Sequence, residues 1–186
     1  SMSALMRQLI LDLETCCLQS ALQRIVSYPL REAELGGPPH VEVQLPAGKA
    51  YLRAESRHPV ILMAGGTGFA YTRAILQKML ADGLHKPVFL YWGVRFEDHL
   101  YADAEMKAWA AEHRELTYVP VVQNGNEHWQ GRTGLVHEAI MEDFPSLTGY
   151  DVYVAGRFEM AGVAREAFKE KGVEAERLFG DAYEFI

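Results

Sequence analysis

Residues 59–69, PVILMAGGTGF, decide the fold of this chain. The apolar first half predicts a buried strand and the glycines predict a tight turn, while apolar residues at helical spacing follow over 70–80. When a strand leads into a helix through such a turn, the backbone N–H groups at the helix N-terminus have no acceptor within the helix. Proteins commonly bind a pyrophosphate with these N–H groups. We therefore predict a site for a dinucleotide or another phosphate ligand, formed by Gly65, Gly66, Thr67 and Gly68.

This turn departs from two common phosphate-binding motifs. The G-x-G-x-x-G fingerprint would need glycine at Tyr71. A P-loop would need Ser or Thr after Gly48 and Lys49, but Ala50 follows them. The motif alone therefore leaves a plain tight turn as the alternative interpretation.

Composition and charge exclude several classes of function. The chain has 186 residues, of which 49% are hydrophobic and 23% charged, as expected for a globular domain with a sizeable core. A net charge of −7 argues against non-specific nucleic-acid binding. Cys16 and Cys17 are adjacent, so no disulfide framework is expected, and two cysteines are too few for a plant-type iron–sulfur cluster. We expect no metal site, no membrane span and a cytoplasmic location.

The first forty residues differ from the rest. Apolar residues at helical spacing over 4–26 predict an amphipathic helix, which packs on its own chain or pairs with a second copy as a homodimer contact. The sequence GGPP at 36–39 indicates a linker. Residues 41–45 alternate as a strand does, with 50–53 as a possible hairpin partner. We divide the chain into a helix and linker, 1–40, and an α/β domain, 41–186.

Strand and helix patterns alternate from residue 59 onward. Such alternation predicts a doubly wound parallel sheet with helices on both faces and ligands at the carboxyl ends of the strands. The predicted strands are 59–64, 87–92, 116–122 and 151–155, with a last short strand at 182–185, and the predicted helices are about 68–82, 97–113, 133–143 and 158–171.

Glycines and arginines follow two further strands. Gly93 and Arg95 follow the second strand, and Gly156, Arg157 and Phe158 follow the fourth. Glycine lets the backbone approach a ligand, and arginine forms charge-assisted hydrogen bonds with phosphate. We predict that these residues converge with the glycine-rich turn on one edge of the sheet. The alternative is that the glycines are ordinary caps.

Six stretches, in order and in register, resemble the ferredoxin–NADP reductase superfamily and, within it, the bacterial NAD(P)H:flavin reductases. They are LMAGGTGF (62–69), YWGVR (91–95), HLY (99–101), GRTG (131–134), YVAGRFEM (153–160) and FGDAYEFI (179–186). The resemblance covers about 41–186. It implies a ferredoxin reductase-like NAD(P)-binding domain that passes a hydride from nicotinamide C4 of NADH or NADPH to N5 of a flavin. FAD, FMN or riboflavin would then be a substrate or a loosely bound cofactor.

The resemblance also assigns roles to the candidate residues. It implies that the glycine-rich turn lies near the pyrophosphate and that residues 156–158 flank the nicotinamide and adenosine. Arg95 would reach the adenosine ribose or its 2′-phosphate, although the nearby Glu97 and Asp98 would oppose a phosphate. Phe185 and Ile186 would lie near the flavin. No general base is assigned.

One departure from the family concerns the flavin. The family's flavin-binding barrel needs roughly 60–100 residues, whereas about forty residues precede Val41. The barrel's R-x-[YFP]-[ST] motif is also absent from the first 58 residues. We therefore expect this chain alone to hold flavin weakly. Two functions stay open, a flavin reductase or its nucleotide-binding half, and a non-catalytic NAD(P)H-binding module that acts with a partner protein.

Overall fold

The structure, a computed structural model, describes residues 50–184. Six parallel strands form one sheet in the order β4-β3-β2-β1-β5-β6. The strands are β1 Val60–Gly65, β2 Val88–Val94, β3 Leu116–Val122, β4 Arg132–Thr133, β5 Asp151–Ala155 and β6 Leu178–Phe179, and the helices are α1 Phe69–Ala81, α2 Asp103–Glu112, α3 Val136–Asp143 and α4 Phe158–Glu170. The predicted helix over 4–26, the linker, the strand over 41–45 and Phe185 lie outside the described residues.

Both faces of the sheet are covered, which confirms the doubly wound α/β prediction. Along β1, Leu62 packs in the core on the side of α1 and α2. Met63, the next residue, packs in the core on the side of α3 and α4. Because β1 is buried on both faces, its sequence is a continuous apolar run rather than an alternating one.

The strand order places β1 between β2 and β5. Ala64 near the end of β1 pairs with Trp92 of β2 and with Ala155 of β5. The chain winds from β1 toward β4 on one side and then returns to β5 on the other, so the order reverses between β1 and β5. Ligands of doubly wound sheets bind in the crevice at such a reversal, outside the carboxyl ends of the strands.

Two predicted helix starts are too early. Residues 97–99, predicted as the start of a long helix, form a separate 3-10 turn, and α2 begins at Asp103 because Leu100 leaves the helical region with φ −81° and ψ 60°. Likewise, α3 begins at Val136 rather than 133, because Arg132 and Thr133 pair with β3 as the short strand β4.

Two predicted strands are wrong. Residues 181–184 form a 3-10 helix instead of the last strand, which lies earlier, at Leu178–Phe179. Residues 50–53 form no strand. The backbone N–H of Arg53 instead donates a hydrogen bond to the hydroxyl of Tyr153, 2.9 Å away, so a side chain takes the donor that a hairpin would have used.

Candidate functional site

The turn between β1 and α1 contains three glycines in different situations. Gly66 is left-handed, with φ +54°, and, apart from its chain neighbours and the local helix backbone, no atom of the described residues lies within 4 Å of a Cβ placed there. Gly68 has an ordinary helical φ of −57°, but its Cβ would lie 2.6 Å from the carbonyl of Ala155. A Cβ on Gly65 would meet the thioether of Met160, a flexible group that can move aside. Gly66 therefore has an open side, whereas Gly68 allows the close approach of α1 to β5.

The N-terminus of α1 suits an anion. Its first turn carries no acidic side chain, and Thr67 just before it is exposed. The first N–H groups of a helix lack acceptors within the helix, and they form the positive end of its dipole. A phosphate that approaches the open side of Gly66 would lie at this positive end of the dipole.

The end of β2 lies directly beside this turn. Gly93 pairs with Gly65 across the two strands, and a Cβ at Gly93 would lie 2.6 Å from Cβ of Val136, the first residue of α3. Arg95 follows β2 and is exposed, with its guanidinium carbon 5.4 Å from the ring centroid of Phe96. A cation is thus available on the adjacent loop.

A carboxylate is held near this cation. The side-chain amide of Asn126, in the loop after β3, donates a hydrogen bond to the carboxylate of Glu97. Glu97 and the exposed Asp98 follow Arg95 within three residues. The loop that carries the arginine therefore also carries negative charge.

The end of β5 completes the edge on the other side of β1. Gly156 has φ +153°, and a Cβ there would meet the methyl group of Met160. Arg157 precedes α4 and is exposed, and Phe158, the first residue of α4, is 54% exposed. A second exposed cation and a half-exposed aromatic ring thus lie on the other side of β1 from Arg95.

The structure brings nine of the ten predicted site residues to this edge. They are Gly65, Gly66, Thr67, Gly68, Gly93, Arg95, Gly156, Arg157 and Phe158. The tenth, Phe185, lies outside the described residues. That these residues bind a nucleotide stays a prediction.

Two residues of the edge, Met160 and Trp92, were not predicted as part of the site. Met160 packs between the backbones of Gly65 and Gly156. Trp92 donates its indole N–H to the carbonyl oxygen of Gly66, 2.9 Å away. Both residues lie within the stretches YWGVR and YVAGRFEM, which were selected for their glycines and arginines. The residue types were therefore visible in the sequence, but the contacts that they make were not.

A hydrogen-bond network fixes α3 against β2. The hydroxyl of Tyr91 donates to Oδ2 of Asp143 at 2.6 Å, and the guanidinium of Arg132 pairs with the other carboxylate oxygen at 3.0 Å. Burial, followed by this hydrogen bond, raises the pKa of Tyr91 well above its usual value. The hydrogen bond and the ion pair join the last residue of α3 to β2 and β4.

Family membership follows from comparison with known proteins. The oxidoreductase NAD-binding domain family matches residues 62–166, a range that includes every described residue of the edge. The chain belongs to this family.

Among residues 50–184, no helix is long and apolar enough to cross a membrane, and no group of three or more His, Cys, Asp or Glu side chains could hold a metal ion.

Family members of known name are similar over most of the chain. It is 46% identical to the NAD(P)H-flavin reductase of Vibrio harveyi over 156 residues, which are 83% of this chain and 66% of that protein. It is 49% identical to the NAD(P)H-flavin reductase of Aliivibrio fischeri over 154 residues, which are 82% of this chain and 64% of that protein. The chain thus spans slightly less than two thirds of the length of these relatives.

A solved structure shares the fold of this NAD-binding domain. The crystal structure of the Amycolatopsis cytochrome P450 reductase GcoB superposes with a TM-score of 0.65 at 28% sequence identity. The match covers 77% of this chain and 42% of that one. The ferredoxin reductase-like fold inferred from sequence is thereby confirmed.

Proposed function

We propose that this domain binds NADH or NADPH at the carboxyl edge of its sheet and passes the hydride to a flavin. The observation that carries the proposal is the left-handed Gly66, with its open side at the N-terminus of α1. The crevice between β1 and β5 lies beside it, within the residues that the NAD-binding family matches. The flavin as acceptor is supported by two relatives named NAD(P)H-flavin reductase, 46% and 49% identical.

We propose one orientation for the nucleotide on this edge. The pyrophosphate would lie on the amides of the glycine-rich turn, with the adenosine toward Arg95 and the nicotinamide toward residues 156–158. A hydride then leaves nicotinamide C4 for flavin N5, which gives NAD(P)⁺ and reduced flavin. The transfer depends on holding two rings in contact and needs no general base, so the protein contributes binding and orientation.

Two measurements on the full chain test this function. Calorimetric titration measures binding of NADH and NADPH, and loss of the visible flavin absorbance under anaerobic conditions measures reduction of added FMN, FAD or riboflavin. Binding with turnover would support the proposal. Binding without turnover would make the chain a nucleotide-binding module that acts with a partner, and absence of binding would overturn both functions.

Nucleotide choice provides a prediction at Arg95. Because Glu97 and Asp98 follow closely, we expect Arg95 to stack on adenine rather than to pair with a 2′-phosphate. Arg95→Ala should then weaken NADH and NADPH binding by similar factors, about threefold, with little dependence on salt. Dissociation constants for both nucleotides at low and high ionic strength measure this.

A second arginine serves as the control for that experiment. Arg114 precedes β3 at the opposite edge of the sheet and its side chain is 93% exposed. Arg114→Ala should leave both dissociation constants unchanged. A loss confined to NADPH in Arg95→Ala, and larger at low salt, would contradict the stacking role and make the site selective for NADP.

Two further expectations accompany the proposed reaction. We propose that it takes place in the cytoplasm. Homodimer formation through residues 4–26 stays a prediction, and sedimentation of the full chain and of a chain that lacks those residues would measure it.

A further inference from the structure

A buried tryptophan contacts the turn that the proposed function assigns to phosphate. Trp92 of β2 is fully buried, and its indole N–H donates to the carbonyl oxygen of Gly66 at 2.9 Å. The backbone N–H of Phe69 donates to the same oxygen. Two donors thus hold this carbonyl toward the protein interior.

Two aromatic neighbours fix the indole of Trp92 in place. The ring of Phe69 stacks on it, with centroids 3.9 Å apart and planes 11° from parallel. The ring of Tyr101 meets it edge-on at 4.9 Å and 77°. Stacked and edge-on contacts of this kind restrict the plane of the ring, so the direction of the indole N–H is fixed as well.

The orientation of one peptide group then determines a donor. The peptide that joins Gly66 to Thr67 is trans, so its C=O and its N–H point in opposite directions. With the Gly66 carbonyl directed inward, the N–H of Thr67 is directed outward. Glycine permits many backbone conformations, so with only the N–H of Phe69 and without the indole of Trp92 to hold it, this peptide could turn and present its oxygen to an anion instead.

We propose that Trp92 is a positioning residue for the pyrophosphate of the bound nucleotide. Its indole N–H holds the Gly66 carbonyl inward and so keeps the N–H of Thr67 directed at the phosphate. This inference rests on the proposed function, and it adds a residue from the neighbouring strand to a site otherwise built from the turn.

The test compares two tryptophans that make the same kind of bond. Trp92→Phe keeps an aromatic ring against Phe69 and removes the donor. Trp129→Phe is the matched control, because the indole of Trp129 also donates to a backbone carbonyl at 2.9 Å, that of Arg132. Calorimetric titration uses NADH and ADP-ribose, which carries the pyrophosphate without the nicotinamide.

We expect Trp92→Phe to bind both probes about fivefold more weakly, as loss of one hydrogen bond would produce. Trp129→Phe should bind them as the unchanged chain does. In steady-state flavin reduction, Trp92→Phe should raise KM for NADH and leave kcat unchanged, because the contact lies at the phosphates rather than at the reacting rings. Equal losses in both variants, or a fall in kcat alone, would overturn the positioning role.

A closer isostere separates the N–H from the shape of the ring. Benzothienylalanine replaces the indole N–H with sulfur, and it can be placed at position 92 alone in a chain that carries Trp109→Phe and Trp129→Phe. A fivefold loss of ADP-ribose affinity would support the inference, and wild-type affinity would refute it. If the unchanged chain binds neither probe, the proposed function fails. If it binds both and Trp92→Phe binds them equally well, only the role of Trp92 fails.

Discussion

Replacement of Gly68 by alanine is expected to lower the free energy of unfolding by about 3 kcal/mol, the upper part of the range for overpacking a closely packed interior. The added Cβ would lie 2.6 Å from the carbonyl carbon and oxygen of Ala155 and 2.8 Å from the nitrogen of Gly156. All three are backbone atoms of β5 and its turn, and they cannot rotate away. Either α1 or the end of β5 must therefore move.

Urea unfolding of the full chain measures this loss, and the melting temperature should fall by on the order of 9 °C. Gly66→Ala is the control, because its Cβ would meet no described atom beyond its chain neighbours and the local helix backbone, and only its left-handed φ of +54° is unfavourable. That strain costs about 1 kcal/mol. If the two variants lost equal stability, close approach at Gly68 would not be the reason for glycine there.

The centre of the sheet was predictable because β1 and β5 are buried on both faces. Residues 59–64 and 152–155 form continuous apolar runs in the sequence, and the structure has β1 at Val60–Gly65 and β5 at Asp151–Ala155. The short strands were not predictable in this way. β6 has only two residues. A stretch that short cannot show the alternation of apolar and polar residues by which a strand is predicted from sequence.

The candidate site was predictable as a set of strand ends but not as a set of contacts. Parallel strands bring their carboxyl ends to one edge, so glycines and arginines after each strand could be assigned to it. Trp92 and Gly66 are 26 residues apart. Their contact depends on β2 being the neighbour of β1 and on the direction of one side chain, and alternation of strands and helices specifies neither.

The second large effect is expected from Gly66→Val, which should weaken NADH and NADPH binding at least tenfold, or about 1.4 kcal/mol. A side chain at this position would extend from the turn into space where, chain neighbours and local helix backbone apart, no described atom lies within 4 Å of the Cβ. In the proposed function that space belongs to the pyrophosphate. The branched side chain would keep the phosphate from the amide donors of the turn, while the rest of the edge stays in place.

A control must separate this obstruction from backbone strain, because valine is unfavourable at positive φ wherever it is placed. Gly149 provides the control. It has φ +74°, lies before β5 at the opposite edge of the sheet, and its Cβ would meet only Nδ1 of His58, at 3.7 Å. Gly149→Val should therefore lose stability as Gly66→Val does and keep wild-type affinity for both nucleotides in calorimetric titration. If Gly66→Val also kept wild-type affinity, the pyrophosphate would not lie on this turn, because no bound phosphate could tolerate an isopropyl group between itself and the amides that hold it.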